Sequence, residues 1–157
     1  MQMLIRQPGC TLLERGESVE IAACPDSPGR ETWQWDIHLE QNSVAGVGTA
    51  SAVLEGLESG PHFVNVRFDE RVIEAEIESR LISKIDWLER EEHDLWVAIV
   101  ESGKIFEGTY AVNPGDVMVW EGDDPLRIAV CLREGAPAGI VIVRIRRRDG
   151  KSLRWVP

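Results

Sequence analysis

Cysteine is scarce in this 157-residue chain, and the three present do not look like partners: Cys10, Cys24 and Cys131 are odd in number, widely spaced and free of any C-x-x-C motif. Neither a disulfide framework nor a zinc ribbon is thereby indicated, and the expectation is three small buried hydrophobes. Long apolar runs are also missing. No stretch approaches the roughly 18 apolar residues of a membrane span, and the opening MQMLIRQPGCTLLER lacks the apolar core of about 7 to 15 residues that a signal peptide needs. The expectation is a soluble, cytoplasmic protein with no membrane partner. The chain contains no G-x-G-x-x-G, Walker loop or G-x-S-x-G elbow, and no cysteine has a histidine or a basic cluster close in sequence. Nucleotide binding and nucleophilic catalysis therefore have no motif behind them, no catalytic residue is assigned, and an enzyme is the less favoured reading.

Basic charge is short overall and concentrated at one place. Residues 144–154 (RIRRRDGKSLR) carry a balance of +5, whereas the rest of the chain carries −15, giving the net −10. An acidic body repels nucleic acid and anionic membrane, so neither is expected as a partner. The basic run alternates: Val141, Val143 and Ile145 point one way while Ile142, Arg144 and Arg146 point the other. Asp149-Gly150 then supplies a two-residue turn before Leu153 and Trp155. This pattern reads as a closing hairpin whose basic outer face pairs with the acidic body.

What is abundant is short apolar segments of period two separated by turn residues, the grammar of an all-β barrel or sandwich. Strands are expected near 11–13, 18–23, 33–40, 50–54, 63–68, 72–78, 80–86, 95–100, 104–107, 110–112, 117–120, 126–133, 140–147 and 152–156, in one domain spanning 1–157. Ser102-Gly103 should close a hairpin between LWVAIV and KIF. Asn113-Pro114-Gly115-Asp116 and Gly122-Asp123-Asp124-Pro125 should turn the chain further on. Residues 70–92 allow two windings. As a helix, Ile73, Ile77, Leu81, Ile85 and Leu88 form a stripe with Glu76/Arg80 and Asp86/Arg90 as i,i+4 pairs; as strands, Ile73, Ala75 and Ile77 alternate after a turn at Asp69-Glu70-Arg71. Four isoleucines and Val72 favour strands.

Residues 33–40, WQWDIHLE, place Trp33, Trp35, Ile37 and Leu39 on one side and Gln34, Asp36, His38 and Glu40 on the other. With the pieces around it, this strand falls into an order. Glu20-Ile21-Ala22 precedes Pro25; then come W-x-W-D-I-H-L, Val53-Leu54-Glu55-Gly56, Glu92-His93-Asp94-Leu95-Trp96-Val97 ahead of Glu101-Ser102-Gly103, and Gly115-Asp116 opening a strand. Over residues 14–146 this order resembles the HutD/Ves family. The resemblance implies a cupin-like (RmlC-like) antiparallel β-barrel or sandwich and a small-molecule-binding protein with an auxiliary or regulatory role in histidine utilisation, without assigned catalysis or cofactor. The family's W-x-N-G-G-G and F-S-x-F-P-G segments are reduced here to Glu14–Ser18 and Ser43–Gly48, so whatever they bind does not carry over.

The candidate ligand-binding residues are Glu20, Trp35, Asp36, His38 and Trp96. Trp33, Trp35, Trp96 and Trp120 serve either as closed core or as an aromatic cup. A cupin metal site would need H-x-H, which is absent. Asp36 and His38 could share an ion only with His62 or His93 arriving from elsewhere, because Asp36 and Glu40 lie about 13 Å apart along a strand. Two alternatives to a ligand binder therefore stand: a metal-dependent cupin enzyme, and an interaction module in which acidic residues 70–94 meet a basic partner or the last hairpin forms a homodimer.

Overall fold

The computed structural model describes residues 3–5, 11–15, 19–25, 33–39, 51–55 and 62–153. Among them the only regular elements are strands: β1 (Met3–Ile5), β2 (Thr11–Arg15), β3 (Val19–Pro25), β4 (Trp33–Leu39), β5 (Ser51–Glu55), β6 (His62–Asp69), β7 (Ile73–Ile82), β8 (Ile85–Glu89), β9 (Leu95–Ser102), β10 (Ile105–Glu107), β11 (Tyr110–Val112), β12 (Val117–Trp120), β13 (Arg127–Cys131) and β14 (Ala138–Arg147). No helix among the described residues is long and apolar enough to cross a membrane.

Three strands explain the layering. LWVAIV in β9, VMVW in β12 and AGIVIV in β14 are buried at every position. A strand apolar on both faces must be covered on both. They sit together in a five-stranded sheet of order β1-β12-β9-β14-β7, here the central sheet. On one face Leu95, Val97, Ile99, Val117, Val119, Val141, Val143 and Ile145 join Val19, Ile21, Ile37, Val64, Val66 and Phe68 of the sheet β2-β3-β4-β6-β5. On the other face the even-numbered residues, Trp96, Ala98, Val100, Met118, Trp120, Ile140 and Ile142, pack against Leu88, Ile105, Val112, Ile128 and Val130 of the sheet β11-β10-β13-β8.

Numbered from one to eight, strands β7–β14 run 1-8-3-6 in the central sheet and 2-7-4-5 in the four-stranded one. All their pairings are antiparallel. This is the two-Greek-key order of a jelly roll, and its interior is filled with side chains. The third sheet differs, because β4 and β6 run parallel.

Residues 70–92 are strands, not helix. Ten register pairs tie β7 to β14, and Arg80 pairs with Glu78, two residues away on the same strand face, and with Asp86 at 3.5 Å. Neither expected i,i+4 pair forms in this arrangement. The strand bounds move to 73–82 and 85–89 from the expected 72–78 and 80–86, because pairing with β14 extends β7 by four residues.

Two expected hairpins are instead crossings between sheets. Ser102-Gly103 leads from β9 to β10, and Asp69-Glu70-Arg71 from β6 to β7, each pair lying in different sheets. The physical reason is that β9 is already flanked by β12 and β14, and β6 by β4 and β5, so the chain must leave the plane. Gly103, at φ +75°, is required at the first crossing: a Cβ there would lie 2.7 Å from Ala138 Cβ and 2.9 Å from Ala138 Cα. Asp69 stabilises the second by accepting hydrogen bonds from the Arg71 backbone N–H and guanidinium. The remaining turns form as expected, with Asp116 N–H donating to the Asn113 carbonyl and Asp124 N–H to that of Glu121. Asp149-Gly150 also turns, yet Lys151, Ser152 and Leu153 pair as no strand; Leu153 tucks into the core shared with the third sheet, and residues 154–156 of the expected strand lie outside the described residues.

Candidate functional site

The inner face of β14 changes character along its length. Ala138, Ile140 and Ile142 belong to the jelly-roll core, and the next two residues of that face are Arg144 and Arg146. The register carries this transition across the sheet. Glu76 on β7 faces Arg144, which faces Trp96 on β9, which faces Trp120 on β12. One step outward Glu74 faces Arg146; one step inward the row is Ile142, Ala98 and Met118. At this boundary lies a cavity of about 220 Å³ lined by Glu74, Glu76, Glu89, Glu91, Asp94, Trp96, Arg144, Ile145 and Arg146. It forms the mouth of the jelly roll: Trp96 ends the apolar packing, and charged residues begin above it.

Both arginines of the mouth are engaged. Arg146 forms a two-pronged pair with Asp94 (2.7 and 3.1 Å) and reaches Glu91 at 2.7 Å. Hydrogen bonding to Asp94, more than any other contact, holds the Arg146 guanidinium protonated well above its ordinary range. Arg144 donates to Glu78 at 2.6 Å and lies 4.8 Å from the centre of the Trp96 ring. Five carboxylates against two guanidiniums leave the lining three charges negative.

The loops that shape the mouth are held by Arg90, which is 4% exposed. Its guanidinium donates to the carbonyls of Asp94 (2.7 Å), Gly122 (2.9 Å) and Asp124 (2.6 Å), with a longer contact to that of Glu91. Arg90 thus ties the β8–β9 connection, which supplies Asp94 and Glu91, to the β12–β13 turn.

Of the five residues expected at a ligand site, Trp96 lines this cavity. The other four belong to the third sheet, outside the jelly roll. Glu20 pairs with His38, Ala22 with Asp36 and Ala23 with Trp35 in the β3–β4 ladder, and the intervening Ile21 and Ile37 are buried. The side chains of Glu20, Trp35, Asp36 and His38 lie outside the described residues, as does that of His62. His93 is exposed with its Nδ1 3.0 Å from Ser152 Oγ. The run Glu91-Glu92-His93 is an exposed loop, and Asp94 beyond it is buried in its pair with Arg146. Among the described residues no three His, Cys, Asp or Glu side chains group closely enough to hold a metal ion. Trp96 and Trp120 are core residues, as one of the two sequence alternatives has it. Within the basic run at 144–154, Arg144 and Arg146 pair with Glu78, Glu91 and Asp94, but from the inner face of β14 rather than from the outer face of a hairpin, because the jelly-roll sheet covers that side of the strand.

Sequence reasoning missed Glu74, Glu76, Arg144 and Arg146 as a site. The signal was present as opposite charges at alternate positions of two strands, but only pairing β7 with β14 brings them together. Comparison of the chain with protein-family models, with curated proteins and with solved structures gave no match.

Proposed function

We propose that this chain is a cupin-like, small-ligand-binding protein of auxiliary or regulatory role, of the kind the HutD/Ves resemblance implies, and that its ligand sits in the mouth of the jelly roll. One observation carries the reading: the inner face of β14 passes from Ile140 and Ile142 to Arg144 and Arg146 at a cavity floored by a buried tryptophan. An apolar floor with a few convergent polar groups is the usual make-up of a small-molecule site. At about 220 Å³ the cavity falls below the roughly 300–1,000 Å³ typical of drug-sized ligands, which points to a small metabolite.

A thermal-shift and calorimetric screen of small polar metabolites, histidine and its breakdown products among them, tests the reading. A ligand present at about 100 times its Kd stabilises by about 2.7 kcal/mol, which raises Tm by roughly 5–11 °C in a chain of this size. Glu76→Trp fills the mouth from an exposed strand position that tolerates an aromatic, and should abolish binding without loss of fold. Binding that survives this substitution, or a screen in which no compound raises Tm at millimolar concentration, sinks the proposal.

A further inference from the structure

An open sheet ends in two edge strands whose outer N–H and C=O groups lack a ladder partner, and such an edge is a template for pairing with another chain unless something blunts it. Among the described residues five of the six edges are short: β1 and β11 have three residues each, and β2, β5 and β8 have five. The sixth is β7. It runs ten residues, Ile73–Ile82, at the end of the central sheet, and its ladder with β14 carries no bulge. Its sequence, IEAEIESRLI, has no Pro, Gly or Lys to break the edge. Leu81, on the same strand, is left 67% exposed.

Charged side chains are the remaining guard of an edge, and β7 has four of them at alternate positions, Glu74, Glu76, Glu78 and Arg80. Their order makes the strand complementary to its own reverse. Laid antiparallel on a second β7 with Ile77 opposite Ile77, Glu74 faces Arg80 and Arg80 faces Glu74 on one side of the sheet, while Ile73 faces Leu81 and Ala75 faces Ser79 on the other. Glu74 is exposed and has no partner among the described residues; Arg80 gives Nε to Glu78 and Nη1 to Asp86, which leaves Nη2. The unfavourable meeting in this register, Glu76 with Glu78, involves a carboxylate already held by Arg80 and Arg144. Sliding the register by two residues sets Glu76 against Glu76 or Glu78 against Glu78 and separates the two Ile77 side chains. A chain of net charge −10 repels its own copies at long range, so self-association calls for matched local pairs, which this edge supplies.

We infer that two copies of this chain join edge to edge through β7, about a twofold axis at Ile77, so that their five-stranded central sheets become one. Pairing of a patch with itself closes, which gives a dimer and not a fibre. Glu74 also lines the mouth, so Arg80 of the second copy stands at its rim and each mouth gains a cation from the other copy. Sedimentation equilibrium of the full chain at micromolar concentrations should show monomer and dimer in exchange, and the β7 amides should exchange with deuterium more slowly at high protein concentration than at low. Glu74→Arg sets arginine against Arg80 of the other copy at both ends of the ladder and should raise the dimer Kd about five- to fifty-fold. Leu81→Lys, at an exposed position, should raise it as well. Glu74→Arg combined with Arg80→Glu restores both matches and should recover most of the first loss, with circular dichroism confirming the fold. Because Arg80→Glu also sets an acid beside Glu78 and Asp86, a second check uses Glu76→Arg, an exposed change that meets Glu78 of the other copy and should tighten the dimer; in the registers shifted by two it meets another arginine. Weakening by Glu76→Arg overturns the register at Ile77. A monomer at every concentration overturns the inference, whether the β7 amides then exchange quickly, as on an open edge, or slowly, as on one covered from within the chain. A dimer indifferent to Glu74→Arg and Leu81→Lys overturns it too, because the copies then meet elsewhere.

Discussion

Arg90→Met should be among the most destabilising single changes outside the apolar core. The side chain is nearly fully buried, and it satisfies three carbonyls at 2.6–2.9 Å, those of Asp94, Gly122 and Asp124. Hydrogen bonds to a charged donor contribute about 1.5–3 kcal/mol each, against a desolvation cost of several kcal/mol for the guanidinium. Methionine recovers that desolvation cost and most of the packing volume, but the three carbonyls remain behind and lose their donor. Orphaned buried acceptors cost about 1–3 kcal/mol each, so a net loss of roughly 3–5 kcal/mol is expected after partial access of water. For a chain of this length that lowers Tm by roughly 6–20 °C. Urea unfolding followed by circular dichroism and calorimetry reads it directly, with Arg90→Lys as the informative control. Lysine keeps the charge but cannot fork between two loops, so it should recover less than half of the loss. An Arg90→Met protein within about 0.5 kcal/mol of the parent would refute the idea that this guanidinium holds the mouth loops together.

Two shorter predictions concern a turn and pH. Gly103→Ala and Gly150→Ala impose the same positive φ, +75° and +74°, but only the first places a Cβ within 3 Å of another residue, Ala138; Gly150→Ala should cost about 1–2 kcal/mol and Gly103→Ala clearly more by urea midpoint, and equal losses would contradict the close approach of the β9–β10 crossing to β14. Asp149 is held down from the usual 3.8 to about 2, chiefly by its hydrogen bond to Arg147. A carboxyl depressed in the folded state contributes stability that is complete above its unfolded value and is lost as pH falls through the folded one. The urea midpoint should therefore drop between about pH 4 and pH 2, and Asp149→Asn should flatten that slope; an unchanged slope would show that the pair with Arg147 does not persist in solution.

Much of the fold is legible residue by residue. Alternation at Ile73, Ala75 and Ile77 and the excess of β-branched side chains make residues 73–82 a strand despite a workable helical stripe, because ladder bonds to β14 add to what the side chains already favour. The alternation at 141–146 likewise sorts these side chains into two sets, but which set faces the third sheet and which the jelly-roll interior is decided by the sheets that cover β14, and the arginine set expected outside lies on the inner face. The turns at 113–116 and 121–124 follow from Pro, Gly and Asp, whose local preferences need no partner. These are properties of period and turn chemistry, which act over two to four residues.

Sheet membership was decided elsewhere. A turn such as Ser102-Gly103 has the same sequence whether the chain folds back beside itself or steps into another layer; occupancy of both edges of β9 settles it. An uninterrupted run such as LWVAIV says that both faces are covered without saying by what. The candidate site shows the same division. Trp96 was nameable from its strand, but Glu74 and Glu76 became its neighbours only because β7 pairs with β14 some sixty-odd residues later, and no local pattern encodes a pairing whose strands are so far apart in the chain.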